Sequence, residues 1–144
     1  MPSSITLSER LSNSGSDPIR VLLVDDNEAM LARAALVLKS CCTIVGKVTS
    51  GQAALEAATL LQPDVIVLDI SMPGMTGFEV SARLREAGST AAIVFLTVHE
   101  AEEFVPEARA AGGLGYVIKS RLASDLVIAV REARARRPFI SKIH

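Results

Sequence analysis

Short apolar runs alternate along this chain with longer segments of helical period, and polar residues cluster where each run stops. Val21-Leu22-Leu23-Val24, Val65-Ile66-Val67-Leu68 and Ile93-Val94-Phe95-Leu96 are apolar without alternation, the pattern of strands buried on both faces of a parallel sheet. Tyr116-Val117-Ile118 predicts a shorter strand of the same kind, and residues 43–49 a further one. Gly46 and Lys47 inside that segment suit an exposed edge better than a sheet centre.

Between the runs, Met30, Leu31, Ala34, Ala35 and Leu38 recur at helical spacing behind Asn27, a good N-cap, predicting a helix to about Ser40. Residues 51–62 are rich in alanine and leucine and stop at Pro63. A third helix is expected over about 78–87, and a last one, capped by Ser120 or Ser124, reaching about Arg137. The region 100–111 fits less well, because Pro106 interrupts its helical pattern before Gly112 and Gly113 stop it. Residues 100–105 are therefore expected to be loop-like or weakly helical. Strands alternating with helices argue for a right-handed, doubly wound parallel α/β sheet.

The first 17 residues are serine-rich without an apolar period, so they are expected to form a disordered extension. The domain then spans 18–138, with 139–144 as a C-terminal tail. At 144 residues and 49% hydrophobic, the chain suffices for one domain with a substantial core. No apolar run approaches the roughly 20 residues that span a bilayer, and no secretory signal is visible, so a cytoplasmic location is expected. A net charge of −1 gives no global reason for nucleic acid or membrane binding. Cys41 and Cys42, the only cysteines, read as reduced thiols.

The carboxyl ends of parallel strands share one edge of the sheet, where open α/β folds bind ligands. Asp25 and Asp26, Asp69, Thr97 and Lys119 each follow an apolar run, so three carboxylates, a hydroxyl and an ammonium should meet there. Gathered carboxylates repel and need a cation. Hard oxygen ligands suit Mg²⁺. With the charge neutralised, one carboxylate could attack a phosphoryl group, and Asp69 is the candidate nucleophile, with Thr97 and Lys119 stabilising the equatorial oxygens. Plainer readings exist for each residue: the acid pair as helix caps, Asp69 as a turn residue, Thr97 as a strand end, Lys119 as a solvated cation and Tyr116 as edge packing. His99 lies two residues beyond Thr97 and could steer water access. Arg131, Arg134, Arg136, Arg137 and Lys142 read as a solvated basic helix face, or as a contact for Glu100, Glu102 and Glu103 of a second copy.

In order and each at a strand end, Asp25-Asp26, the run Asp69-Ile70-Ser71-Met72-Pro73-Gly74-Met75-Thr76-Gly77, Thr97 and Gly115-Tyr116-Val117-Ile118-Lys119 resemble the receiver domain of two-component response regulators over about 20–137. The flavour is that of receivers of the NarL/LuxR type, which usually precede a helix-turn-helix output domain. The resemblance implies a flavodoxin-like (β/α)5 fold, five strands in the order 2-1-3-4-5. It implies a switch whose Asp69 accepts a phosphoryl group from a sensor histidine kinase or a small acyl phosphate and later loses it by hydrolysis, without being a turnover enzyme. Asp26, Asp69 and the Ser71 backbone carbonyl would bind Mg²⁺, Asp25 acting mainly through a water on the ion. Lys119 and Thr97 would contact phosphoryl oxygens, and the inward movement of the loop would let Tyr116 take a buried position. The partners implied are the kinase, a downstream effector protein or output domain, and a second copy in a phosphorylation-linked homodimer. Because the sequence stops at His144, a stand-alone receiver is expected ahead of the receiver portion of a longer DNA-binding regulator. A haloacid dehalogenase-type phosphatase is disfavoured, since that family has Asp-x-Asp where this chain has Asp25-Asp26-Asn27. A flavin carrier lacks its hydroxyl-rich phosphate loop after Val24, and a decayed interaction module is disfavoured because every expected site residue is present.

Overall fold

The computed structural model of the chain describes residues 17–98 and 101–141, the side chains of 101–105 excepted. Residues 1–16 of the expected N-terminal extension, His99, Glu100 and Lys142 therefore lie outside the described residues, as do the side chains of Glu102 and Glu103. The order of elements is β1 (Ile19–Val24), α1 (Glu28–Leu38), β2 (Cys42–Val48), α2 (Gly51–Leu61), β3 (Val65–Asp69), α3 (Gly77–Glu86), β4 (Ala92–Thr97), α4 (Ala101–Ala110), β5 (Gly113–Ile118), a 3₁₀ turn (Lys119–Arg121), α5 (Leu122–Arg134) and β6 (Phe139–Ile140). All strands are parallel, in the order β2-β1-β3-β4-β5-β6. Among the described residues no helix is long and apolar enough to cross a membrane.

The unbroken apolar runs serve two cores. Alternate residues Val21, Leu23, Val65, Val67, Val94 and Leu96 pack with Leu31, Leu38, Leu126 and Val130 of α1 and α5. Their neighbours Leu22, Val24, Ile66, Leu68, Ile93 and Phe95 pack against Ala54, Val80, Leu84 and Ala108 of α2, α3 and α4 on the other face. A strand feeding both layers has no polar face, so β3 and β4 are buried throughout. The expected edge position of β2 holds, with Thr43 and Lys47 exposed.

Four expectations about local structure need correction. The helix α4 begins at Ala101 and runs to Ala110 with Pro106 inside it, where a loop or weak helix was expected over 100–105. Proline forfeits one backbone bond, but Ala108, 3% exposed, is packed in the core beside Phe95, and tertiary packing outweighs local propensity. Neither Ser120 nor Ser124 caps the last helix: the 3₁₀ turn leads into α5 through Arg121, and Ser124 instead donates its hydroxyl to the Arg121 carbonyl. That helix ends at Arg134, not about Arg137. Finally, the sheet has six strands rather than five, because the expected tail returns as β6 beside β5. The basic residues near the end of α5 are also less free than a solvated face implies. Arg134 donates to the Asp17 carbonyl, Arg136 to that of Thr90, and Arg137 pairs with Glu132.

Candidate functional site

The carboxyl edge is assembled by three local devices. At the end of β1, the Asp25 main-chain N–H donates to the Val48 carbonyl at 3.1 Å, extending the pairing with β2, and the Asn27 N–H donates to Asp25 Oδ1 at 2.9 Å. Asn27 itself caps α1, its side-chain oxygen accepting the Met30 N–H at 3.1 Å. The acid pair is thus relieved of the capping role that was its plain reading. After β3, the loop closes sharply enough that a Cβ on Gly77 would stand 2.3 Å from the Asp69 carbonyl oxygen, and Gly74 adopts φ +83°, which other residues rarely do. The Thr76 hydroxyl accepts the Glu79 N–H while the Glu79 carboxylate accepts the Thr76 N–H, a capping box that starts α3. The pairing Thr97 to Ile118 then puts the ends of β4 and β5 level.

The result gathers the residues singled out above. Carboxylate oxygens of Asp25, Asp26 and Asp69 all lie within 4.8 Å of one another. Lys119 Nζ stands 2.9 Å from Asp25 Oδ2 and 3.4 Å from Asp69 Oδ1. Asp25 and Asp69 are buried, Asp26 is exposed, and Thr97 is buried at the end of β4. Ser71 is exposed and its N–H donates to Asp69 Oδ1 at 3.2 Å. Tyr116 is buried in the same core cluster as Leu68 and Phe95, the inward position that the resemblance associates with a drawn-in loop. Val98 is exposed.

Electrostatics follow from that crowding. Burial and then the neighbouring Asp25 charge push the Asp69 carboxyl up to about 6, against the opposing pull of Lys119 and the Ser71 amide. Burial works against the Lys119 charge, yet pairing with Asp25 and Asp69 outweighs it and raises the ammonium above its ordinary value. One cation among three acids leaves negative charge in excess. Asp25 Oδ2 is buried and meets Lys119 as an ion pair without a well-directed hydrogen bond, so it keeps lone-pair capacity. A donor set of carboxylate oxygens with surplus charge fits a hard divalent cation.

The sequence reading passed over Ser141 and Asp125, both buried. It also passed over the capping box, although Thr76-x-x-Glu79 is a recognisable signature. The cysteines begin at the opposite, amino end of β2, half-buried, with their sulfurs 3.0 Å apart and the Cys42 thiol pushed up by burial and by Cys41.

Comparison with known proteins points one way. The family model of the response regulator receiver domain matches residues 21–131. The nitrate/nitrite response regulator protein NarL of Escherichia coli K12 is 34% identical over 131 residues, covering 90% of this chain and 61% of NarL. Response regulator GacA of Pseudomonas viridiflava is 33% identical over 125 residues, covering 85% of this chain and 58% of GacA. The chain therefore spans about three-fifths of the length of these relatives. Among solved structures, a LuxR-family two-component response regulator from Aurantimonas sp. SI85-9A1 superposes with a TM-score of 0.82 at 28% identity, covering 87% of this chain and 91% of that one.

Proposed function

From the premise that this chain belongs to the response regulator receiver domains, of the NarL/LuxR type, we propose that it is a phosphorylation-activated switch with Asp69 as the acceptor. The observation that carries this reading is the Lys119 ammonium, placed between Asp25 Oδ2 and Asp69 Oδ1. An Asp69 carboxylate oxygen attacks the phosphorus of a kinase phosphohistidine or of an acyl phosphate. The new P–O bond forms as the old P–N or P–O bond breaks, and the leaving imidazole takes up a proton or the carboxylate departs as an anion. Lys119 holds the transferred oxygens, and the Thr97 hydroxyl donates to one of them. Hydrolysis by water releases inorganic phosphate and regenerates the carboxylate, so the phosphoryl group resides on the chain itself for the life of the adduct.

Asp26, Asp69 and the Ser71 main-chain carbonyl would hold Mg²⁺, with Asp25 beside them. When bound, the ion neutralises charge on the phosphoryl oxygens. The dianionic group changes which hydrogen bonds the chain between Val98 and Lys119 can make, and so biases two arrangements of that surface. A sensor histidine kinase supplies the group, and an effector, an output domain or a second copy of the chain reads the altered face. Relatives named as regulators of transcription, such as a putative transcriptional regulator of Pseudomonas aeruginosa at 36% identity, support a second reading in which this receiver is part of a longer DNA-binding transcription regulator.

Incubation with Mg²⁺ and acetyl phosphate tests the site directly. Mass spectrometry should find one labile phosphoryl adduct on the wild type and none on Asp69→Asn. An adduct that persists in the variant, or its absence from the wild type, removes Asp69 as the acceptor.

A further inference from the structure

The segment after the last helix is bonded to the strand that carries Tyr116 and leads into Lys119. Phe139 and Ile140 pair in parallel with Gly115 and Tyr116. The next residue, Ser141, is 0% exposed, and its N–H donates to the Tyr116 carbonyl at 2.8 Å. Its hydroxyl accepts the Ile118 N–H at 3.2 Å and donates to Asp125 Oδ2 at 2.6 Å. Asp125, in the first turn of α5, also accepts from Arg121 Nε at 2.9 Å and from the Ser124 hydroxyl at 2.9 Å. Ile118 directly precedes Lys119. One buried hydroxyl therefore joins the C-terminal segment, the last amide of β5 and a buried carboxylate. Removing it would leave a donor and a charged acceptor short of partners inside the protein, where that loss is costly.

We propose that Ser141 and Asp125 form a clasp through which the C-terminal segment positions Lys119 and, reciprocally, responds to a phosphoryl group on Asp69. The proposal rests on Asp69 being the acceptor. The clasp fixes the Ile118 amide, and with it the height at which Lys119 leaves the sheet to reach Asp25 and Asp69. A phosphoryl group on Asp69 draws the ammonium more firmly and steadies the end of β5, so closing the clasp then costs less ordering entropy. Linkage makes the effect mutual: opening the clasp disfavours phosphorylation by the same factor. Ser141 and Asp125 are thus positioning residues, acting through Ile118 and Lys119 without touching the reacting group.

Two measurements on the full chain test this. Amide hydrogen exchange across 139–141 should be several-fold slower in wild type carrying the acetyl phosphate-derived adduct than in wild type without it. Ser141→Ala, which loosens the placement of Lys119 against the transferred oxygens, should take up the phosphoryl group about fivefold more slowly than wild type, while Asp125→Asn, which keeps an oxygen to accept the Ser141 hydroxyl, should lose less. Unchanged exchange on phosphorylation, or a wild-type uptake rate in Ser141→Ala, overturns the clasp and leaves Asp69 as the acceptor. A wild type that forms no adduct overturns the site reading first, and the clasp with it. If Ser141→Ala does not fold, the exchange measurement on wild type decides alone.

Discussion

The centre of the sheet and its outer edge at β5 and β6 hold their candidate site residues by different means. Asp25, Asp69 and Thr97 leave β1, β3 and β4, and every residue of β3 and β4 is buried. Their placement is enforced by close packing on both faces, which relaxes little. Lys119 leaves β5, whose last four residues are buried like those of β3 and β4 but whose outer neighbour pairs with it over only Phe139 and Ile140, both half-buried. That side is held by directed hydrogen bonds around Ser141 and Asp125. The acids are therefore set in a rigid frame, and the cation that answers them is mounted on the more adjustable part. The proposed switch draws on both: an acceptor whose geometry does not drift, and a responder that can report a new charge.

The sharpest way to break this contrast is to remove packing at the centre. Leu68 is 0% exposed and directly precedes Asp69, so Leu68→Ala should cost about 3 kcal/mol of unfolding free energy, read from urea melts. A cost below about 1 kcal/mol would show that the centre can collapse around a cavity and is not the rigid half.

Titration of Asp69 gives the next largest effect. Its carboxyl is raised to about 6 in the folded protein, above the usual carboxylate value near 4 for an unfolded chain. Below about pH 4 both states hold the proton and the group contributes nothing to the balance. Between about 4 and 6 the folded state binds more protons, so stability falls as pH rises through that window, and the full penalty remains above it. In metal-free buffer Asp69→Asn should be more stable than wild type by about 1–2 kcal/mol at pH 8, allowing for solvent screening, with the gap closing toward pH 4. A gap that does not change with pH means that burial and Asp25 do not strain this carboxylate.

The same division explains what could be read from the residues alone. Unbroken runs such as Val65 to Leu68 can only be served by two cores, so the parallel sheet and the meeting of Asp25, Asp26, Asp69 and Lys119 at one edge follow from pattern and topology. The edge elements escape that logic. Phe139 and Ile140 make no run, and their strand exists because Ser141 finds partners in Tyr116, Ile118 and Asp125, contacts that no local spacing encodes. Pro106 misleads for a related reason: a local rule opposes the helix, and the burial of Ala108 overrides it. Ser120 and Ser124 looked like caps, but the 3₁₀ turn made a cap unnecessary.

The smallest effect belongs to the edge itself and sharpens the contrast most finely. Ile140 is half-buried, packs against the cluster that contains Tyr116, and helps line a cavity of about 180 Å³ with Ala108, Leu114 and Pro138. Ile140→Ala removes apolar surface that is already partly wet beside space that is already open, so the new void adds little. The expected loss is about 1 kcal/mol, well below that of Leu68→Ala. Hydrogen exchange should then rise across 139–141 while amides of β3 stay protected, the signature of a segment that opens on its own. Equal losses for Ile140→Ala and Leu68→Ala would join β6 to the same cooperative unit as the central strands, and the site would no longer divide into a fixed half and an adjustable one.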